Sequence, residues 1–396
     1  MSNSPLHGLR VVELARILAG PWAGQTLADL GAEVVKIEAP EGDDTRKWGP
    51  PFIDRGDDVA AGYFHACNRG KKSVVVDFRT PEGKADLLGL IAEADVLIEN
   101  FKVGGLAKYG LNYESLKIAN PRLIYCSITG FGQTGPYAPR AGYDFLMQGM
   151  SGLMSVTGEI GGEPQKYGVA VTDVFTGLYS VIAIQAALSH REKTGRGQHI
   201  DMALLDVATA VTANQGFNTL ATGKAPGLTG NAHVNIVPYQ VFPTSDGHVI
   251  VTCGNDGQYG RFCKVLGRTD LIADPRFDTN PNRVTNREIL VPILQDETVK
   301  HTKAHILEVC EANTVPAGPI NNMNELFADP HIQLRGMQME LEGLPAIRSP
   351  MRFSDSELAT KTAAPKLGAN TDEILKRRQP LLAKNISGFG AAPQDD

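Results

Sequence analysis

The fold of this chain is decided by residues 9–38, which read LRVVELARILAGPWAGQTLADLGAEVVKIE. The apolar run over 9–14 predicts a buried strand, and 32–38 predicts a second one. Between them, the spacing of the apolar residues over 20–31 predicts a helix that ends at Gly31. A strand, a helix and a strand in this order are typical of a parallel sheet with a helical crossover.

The same alternation continues beyond this stretch for about a third of the chain. Strand-like runs occupy 72–78, 95–100 and 122–130, and 81–94 has helical spacing. Strands that are nearly all apolar and alternate with helices indicate a parallel sheet covered on both faces. The sequence therefore predicts an α/β fold with a Rossmann-like large domain, in which ligands bind at the carboxyl ends of the strands.

The pattern changes in the middle of the chain. Residues 173–193 predict a long helix that is apolar on most sides over its first four turns, which is typical of a buried helix. The Gly- and Pro-bearing connector at 221–238 predicts a domain boundary, and 239–254 predicts a hairpin. Residues 337–355 predict a returning pair of strands. We expect a large domain over 1–222, a smaller α+β domain over 223–329, and a return to the large domain with a C-terminal tail over 330–396.

Bulk composition narrows the class of function. The 396 residues are 42% hydrophobic and 21% charged, as in ordinary soluble enzymes, and the net charge of −6 argues against general nucleic-acid binding. The five cysteines are scattered, which suits a reducing compartment. The start lacks a signal-peptide pattern, and no run reaches the ~20 apolar residues of a membrane span. We therefore expect a cytoplasmic protein with no nucleic-acid or membrane partner.

Common cofactor motifs are missing from the sequence. No G-x-G-x-x-G follows the first strand, and the GK in CNRGKKS (67–73) lacks the P-loop spacing, which disfavours nicotinamide and ATP enzymes. There is no C-x-x-C, H-E-x-x-H or G-x-S-x-G either. The sequence therefore predicts neither a metal nor a nicotinamide cofactor.

Basic residues gather near the ends of the predicted strands. Each of them alone is most simply a solvated surface charge. Together they suit a ligand that carries several phosphates, because charge-assisted hydrogen bonds are strong at such clusters. The residues are Arg69, Lys71, Lys72, Lys102, Lys108 and Arg140.

Asp173 lies where the long helix is predicted to begin. Asp is a favoured helix N-cap, so a structural role explains this position on spacing alone. The helix dipole would also keep a carboxylate here ionised, as a nucleophile for acyl carbonyls requires. The two interpretations are compatible.

The segment CGNDGQYG (253–260) follows the second strand of the hairpin. A Gly-rich run of this kind is most often only a turn. Its functional interpretation is a mobile loop that closes over a reactive intermediate and excludes water.

Nine segments in a fixed order resemble the class III CoA-transferases, the CaiB/BaiF family, and they cover nearly the whole chain. The segments are ARILAGPWAGQTLADLGAEVVKIEAP, GDDTRKWGPPF, NRGKKSVVVDF, IENFKVGGLAKYGL, SITGFGQTGP, RAGYDFLMQGMSGLMSVTG, VAVTDVFTGLY, HREKTGRGQHIDMAL and CGNDGQ. The resemblance implies a Rossmann-like domain with a parallel sheet built from both chain ends, a smaller domain, and an interlocked homodimer.

The resemblance also implies site residues. It makes Asp173 the nucleophile and assigns the Gly-rich loop, with Gly257 and Gln258 as catalytic residues, to 254–258. It implies CoA contacts at Leu18, Ala19, Asn68, Arg69, Lys71, Lys72, Asn100, Phe101, Lys102, Lys108 and Arg140.

Departures from the family's branches bear on the reaction. The formyl-CoA transferases have glutamine where Leu18 stands and arginine where Ala39 stands, so an oxalate or formate substrate is disfavoured. The α-methylacyl-CoA racemases carry a base histidine at the position of Tyr143, whose ordinary pKa near 10 makes it a poor base at pH 7. The racemase and a non-catalytic CoA-binding protein remain as alternatives.

The resemblance implies covalent catalysis without ATP or metal. Asp173 forms a mixed anhydride with the acyl group and then a thioester with CoA. The segments TRKWGPPF, SITGFGQTGP, NIVPYQVF and GPINNM are most similar to the branch that uses succinyl-CoA with dicarboxylates such as glutarate. A second carboxylate needs a cation or amide donor, for which the candidates are Arg16, Arg46, His233 and Gln240.

Overall fold

The computed structural model describes residues 3–376. The strands of this part are β1 Arg10–Glu13, β2 Glu33–Glu38, β3 Phe52–Asp54, β4 Val59–Ala61, β5 Lys72–Val75, β6 Val96–Glu99, β7 Ile124–Thr129, β8 His199–Ala203, β9 Tyr239–Thr244, β10 Gly247–Thr252, β11 Ala317–Pro319, β12 Gln338–Leu341 and β13 Leu344–Ile347. The helices are α1 Ala19–Asp29, α2 Gly62–Ala66, α3 Pro81–Ala92, α4 Tyr113–Ala119, α5 Asp144–Met150, α6 Val171–Thr194, α7 Leu204–Ala210, α8 Ala213–Thr222, α9 Asp256–Val265, α10 Asn280–Thr285, α11 Arg287–Thr298, α12 Lys303–Ala312, α13 Met323–Ala328, α14 Pro330–Leu334 and α15 Thr371–Lys376.

Six parallel strands form the main sheet, in the order β5-β2-β1-β6-β7-β8. Counted along the chain, this is the 3-2-1-4-5-6 order of dinucleotide-binding folds, so the predicted Rossmann-like layout is confirmed. The strand order reverses between β1 and β6. A crevice for ligands is therefore expected beyond the carboxyl ends of these two strands.

The C-terminal return differs from the prediction. Within residues 3–376, every strand of the main sheet lies before residue 204, and β12 and β13 pair only with each other. The return instead places α15 beside β5, where Asn370 Oδ1 and Thr371 Oγ1 accept the backbone N–H groups of Ser73 and Val75 at 3.1 and 3.0 Å. The prediction that both chain ends build the sheet is therefore corrected, and the tail after residue 376 lies outside the described residues.

The sheet is covered on both faces, as its apolar strands require. Alternate residues of each strand point to opposite sides. Val11 and Ile98 belong to one buried cluster with α1 and α6. Val12 and Leu97 belong to the other, with α3 and α4. Two layers of helices thus fix the strands whose ends line the crevice.

Two compact units share the described part of the chain. The first consists of 3–153, 166–223 and 334–376 and contains the parallel sheet. The second consists of 154–165 and 224–333 and contains the antiparallel sheet β11-β10-β9, which includes the predicted hairpin. The sequence prediction assigned 154–165 to the first domain, because nothing in the Gly-rich composition of this segment indicates that it packs with the second unit.

Helix α6 is 24 residues long, and its two faces differ in an unexpected way. The buried face carries small and polar residues, among them Thr176, Gly177 and Ser180. The large apolar side chains Phe175, Leu178, Tyr179 and Ile182 are exposed and recur at the spacing of a single helix face. Burial on most sides, as predicted from composition, is therefore wrong for this chain by itself.

By length and composition alone, α6 could cross a membrane, which the sequence prediction overlooked. Core helices of other proteins meet the same criterion. Its buried face packs against α1, and a Cβ at Gly177 would lie 2.8 Å from the Ala19 carbonyl oxygen. The small residues of α6 are therefore explained by its packing against α1, whereas its large apolar side chains lie on the exposed face.

Candidate active site

Asn100 follows β6 at the reversal of strand order. Its Oδ1 accepts the N–H of Arg16 at 2.9 Å, and its Nδ2 donates to the Arg16 carbonyl at 2.7 Å. This pair of bonds ties the segment after β6 to the segment after β1. Next to it, the β-branched Ile17 has φ 74°, a strained conformation that is common at functional sites.

A pocket of about 310 Å³ lies in this crevice. It presents the cations Arg16, Arg79 and Lys108 and the aromatic rings of Phe78 and Phe101. The sequence predicted Arg16, Phe101 and Lys108 as site residues and missed the other two. Phe78 is the last residue of the strand predicted at 72–78 and Arg79 follows it, so the rule that ligands bind at the carboxyl ends of strands could have found both.

Some of the remaining residues predicted to contact CoA are buried, and others are exposed. Leu18 and Ala19 are buried at the start of α1. Lys102 and Arg140 are exposed, and the Arg140 guanidinium lies 4.0 Å from the centre of the Tyr137 ring. The two exposed cations are therefore free to meet an anionic ligand.

Several predicted cations are already paired inside the protein. Arg69 bonds to Asp29 (3.0 Å), Lys71 to Glu13 (2.8 Å) and Asn68 (2.9 Å), Lys72 to Glu33 (2.6 Å), and Arg46 to Glu38 (2.8 Å). All of these except Lys72 and Glu33 are buried. These contacts give Arg69, Lys71 and Arg46 structural roles, and their contact with CoA or substrate stays a prediction.

Asp173 is the third residue of α6 and does not cap the helix. The N-cap residue is Ala170, which has no side-chain acceptor. Asp144, the first residue of α5, supplies the acceptor instead. Its Oδ1 accepts the N–H groups of Thr172 at 2.8 Å and Asp173 at 3.4 Å. The local interpretation of Asp173 as a cap is therefore wrong.

The Asp173 side chain is only 8% exposed. Burial, followed by the negative charge of Asp144, raises the pKa of Asp173 to about 7. The helix dipole was expected to keep this group ionised, whereas its burial and the charge of Asp144 favour the protonated form. Within residues 3–376, no hydrogen bond acts on the Asp173 carboxylate. A poorly solvated carboxylate without hydrogen bonds is a better nucleophile than one in water.

Tyr63 lies near enough to Asp173 for the carboxylate charge to act on it, and the sequence prediction missed it. Burial, followed by the charge of Asp173, raises the pKa of Tyr63 to about 12. Asp43 acts on Tyr63 in the same direction and lines the pocket. Trp48 contacts Tyr63 edge-on, with ring centroids 5.5 Å apart. Tyr63 thus lies within electrostatic range of both Asp173 and the pocket residue Asp43, and no local pattern marks it in the sequence.

The other predicted catalytic and substrate residues lie in the second unit. Gly254 N–H donates to Gln258 Oε1 at 2.7 Å, and Gln258 N–H donates to Asn255 Oδ1 at 2.9 Å at the start of α9. His233 stacks at a tilt on Tyr239, and Gln240 lies in β9. The roles predicted for Gly257, Gln258, His233 and Gln240 stay predictions.

Comparisons with known proteins show the family of this chain. The profile of CoA-transferase family III matches residues 6–371. A succinate–glutarate CoA-transferase from Agrobacterium fabrum is 56% identical and aligns over 95% of this chain and 96% of its own length. A human succinyl-CoA:glutarate CoA-transferase is 42% identical over 95% of this chain and 86% of its own. The crystal structure of a CaiB/BaiF family protein from Brucella suis superposes with a TM-score of 0.87 at 58% identity, covering 95% of this chain and all of the other.

Proposed function

This chain belongs to CoA-transferase family III and is a CoA-transferase, and we propose that it moves CoA from succinyl-CoA to glutarate or a similar dicarboxylate. The observation that carries the proposal is Asp173, a buried carboxylate with no hydrogen-bond donor among the described residues. The relatives named for this pair of substrates support the choice of donor and acceptor.

In the proposed mechanism, the Asp173 carboxylate attacks the succinyl carbonyl. CoA thiolate leaves, and a mixed anhydride forms. The thiolate then attacks the Asp173 carbonyl, so that succinate leaves and an aspartyl-CoA thioester remains. The acceptor carboxylate displaces the thiolate from this thioester, and the thiolate attacks the acyl carbonyl of the new anhydride. Acyl-CoA is released, Asp173 is restored, and no net proton is consumed.

We assign the phosphates of CoA to the pocket at the reversal of strand order. Arg16, Arg79 and Lys108 line it, and charged nitrogen donors bind phosphate oxygens strongly. Arg16 is paired with Asp44 at 2.9 Å and Arg79 with Asp77 at 2.7 Å, so a phosphate has to share or displace these two pairs. Lys102 lies on the same segment as Phe101 and Lys108 and is exposed. Asn100 fixes the course of that segment.

A homodimer is part of the proposal. The exposed apolar face of α6, formed by Phe175, Leu178, Tyr179 and Ile182, is the arrangement of a helix whose outer side another molecule covers. Further exposed apolar side chains of the first unit include Tyr143, Phe145, Leu146, Met150, Phe217 and Leu220. The interlocked form of the dimer stays a prediction of the resemblance.

We place the enzyme in the cytoplasm. All five cysteines lie within the described residues and are buried, unpaired thiols. Burial raises the pKa of Cys67 and Cys126 to about 12 in each case. Unreactive, unpaired thiols suit a reducing compartment.

Trapping the adduct tests the proposal. The protein and its Asp173→Ala variant are incubated with succinyl-CoA and a panel of carboxylic acids, followed by intact-mass spectrometry and assay of acyl exchange. We expect a CoA-sized adduct and exchange in the natural protein. The variant should show neither while still binding CoA. Asp206→Ala is the control, because Asp206 is also an acid in the first turn of a helix, and it should retain both.

The alternatives predict other results. Exchange of the α-proton without acyl transfer would identify a racemase. CoA binding without either reaction would identify a binding protein. Substantial exchange by Asp173→Ala would reject the covalent mechanism.

A further inference from the structure

Two buried polar side chains of α5 connect this helix to the start of α6. Asp144 is 9% exposed, and Gln148, one turn later, is 1% exposed. Asp144 Oδ2 accepts Gln148 Nε2–H at 2.7 Å, and Gln148 Oε1 accepts the N–H of Tyr167 at 2.8 Å. With the bonds from Oδ1 to Thr172 and Asp173, the network joins α5, the chain before α6, and the first turn of α6.

The network supplies hydrogen-bond acceptors that the residues at the start of α6 do not provide themselves. The first N–H groups of a helix have no partner within the helix, and a buried one is costly unless another group accepts it. Ala170 at the N-cap offers no side-chain oxygen. An Asp in the first turn often turns back on the backbone to accept such bonds. Because Asp144 accepts them here, the Asp173 carboxylate is free of that task.

We propose that Asp144 is a positioning residue for the nucleophile, acting with Gln148 to fix the first turn of α6 so that the Asp173 carboxylate points to substrate without hydrogen bonds of its own. The inference rests on the proposed function, since it presumes that Asp173 attacks an acyl carbonyl. The role of Asp144 is indirect, because its side chain bonds to the backbone N–H of Asp173 and does not react with substrate.

The charge of Asp144 should affect the pH dependence of the Asp173 reaction, which can be measured. Burial first, and Asp144 second, raise the pKa of Asp173. Tyr63 is a further titratable group that the charge of Asp173 acts on, and Cys67, Asp144 and Asp43 act on Tyr63 as well. Only ionised Asp173 can attack, so the rate of adduct formation should fall on the acid side of about pH 7. Removing the charge of residue 144 should move this acid limb to lower pH.

Two variants separate geometry from charge. Asp144→Asn keeps an oxygen for the two N–H groups, loses the charge, and leaves Gln148 facing another amide. The double variant Asp144→Asn with Gln148→Glu restores every bond, because the new amide donates to the new carboxylate and that carboxylate still accepts the Tyr167 N–H. It also moves the negative charge one turn along α5, off the side chain that accepts the Thr172 and Asp173 N–H groups.

The measurement is the rate of formation of the aspartyl-CoA adduct from succinyl-CoA, by rapid quench and intact mass, across about pH 5 to 9. We expect Asp144→Asn to lower the plateau rate about 10-fold or more, as misplaced groups do, and to shift the acid limb downward. The double variant should regain most of the plateau rate. The pH at which its rate falls on the acid side should stay lower than in the natural protein. Thr302→Ala, which removes the cap of α12, is the control and should change neither.

Each outcome bears on a different statement. If the natural protein forms the adduct and Asp144→Asn matches it in both plateau and limb, the positioning role is rejected. A lower plateau with an unmoved limb and no rescue by the double variant would show a purely structural residue, and would also reject it. If the natural protein forms no adduct at all, the proposed function fails first.

Discussion

Glu13 and Asp173 are both buried carboxylates of the first unit, and their surroundings are opposite. Glu13 lies between the ammonium groups of Lys36 and Lys71, at 3.1 and 2.8 Å. Asp173 has no cation beside it in the described part of the chain, and the side chain that accepts its N–H is another carboxylate, Asp144. A buried charge that is fully paired stabilises one arrangement of the chain. A buried charge that is left unpaired keeps its reactivity, and the fold must hold it in place by other contacts.

The largest effect should come from Asp173→Asn. Loss of a covalent nucleophile reduces turnover by about 10⁴-fold or more. The change keeps the shape of the side chain, so the fold and CoA affinity should be retained. Steady-state exchange between succinyl-CoA and glutarate measures it, and turnover within tenfold of the natural protein would contradict the assignment.

Glu13→Gln should affect stability rather than catalysis, with a large loss in the free energy of unfolding. It leaves Lys71 buried without its anionic partner, which costs roughly 3–5 kcal/mol in the free energy of unfolding. Glu33→Gln is the matched control, because its pair with Lys72 is partly exposed and should contribute less than about 1 kcal/mol. Urea denaturation measures both, and equal effects would remove the distinction between buried and exposed pairs.

The pH dependence of stability should separate the two carboxylates further. The pKa of Asp173 is higher in the folded protein than in the unfolded chain, so folding is favoured most when the group is protonated. Its ionisation should therefore cost stability between about pH 4 and 7, by at most about 4 kcal/mol. Asp173→Asn should lose this decline. Thermal unfolding of both proteins across this range is the measurement, and parallel curves would contradict the raised pKa.

The smallest expected effect concerns an exposed cation. Lys108→Ala should weaken CoA binding about 5- to 10-fold, and less so at high salt, since it removes one phosphate contact from the pocket. Lys117→Ala is the control, because both lysines lie over a tyrosine ring, at 4.9 and 5.5 Å, and Lys117 does not line the pocket. Calorimetric titration with CoA measures it, and equal affinities in the two variants would remove Lys108 from the site.

Much of the fold could be predicted because its signals are local. Residues 9–38 carry the spacing of a strand, a helix and a strand, and these became β1, α1 and β2. The site was harder to predict, because its key contacts join distant positions. The cap of α6 comes from Asp144, 29 residues before Asp173. The partner of Lys71 is Glu13, 58 residues away. A spacing rule predicts a basic cluster or an N-cap. Tertiary contacts decide whether each charged side chain pairs within the protein or remains available to a ligand.

Gly177 lies one turn after the nucleophile, against the Ala19 carbonyl oxygen, and this contact limits which sequences the enzyme can accept. Even alanine would bring its methyl group within 2.8 Å of that oxygen and 3.0 Å of Trp22 Cβ, so α6 would have to move away from α1. Because a helix moves as a unit over one turn, Asp173 would move with it. We therefore expect position 177 to tolerate no side chain in active descendants of this sequence, although it takes no part in the reaction.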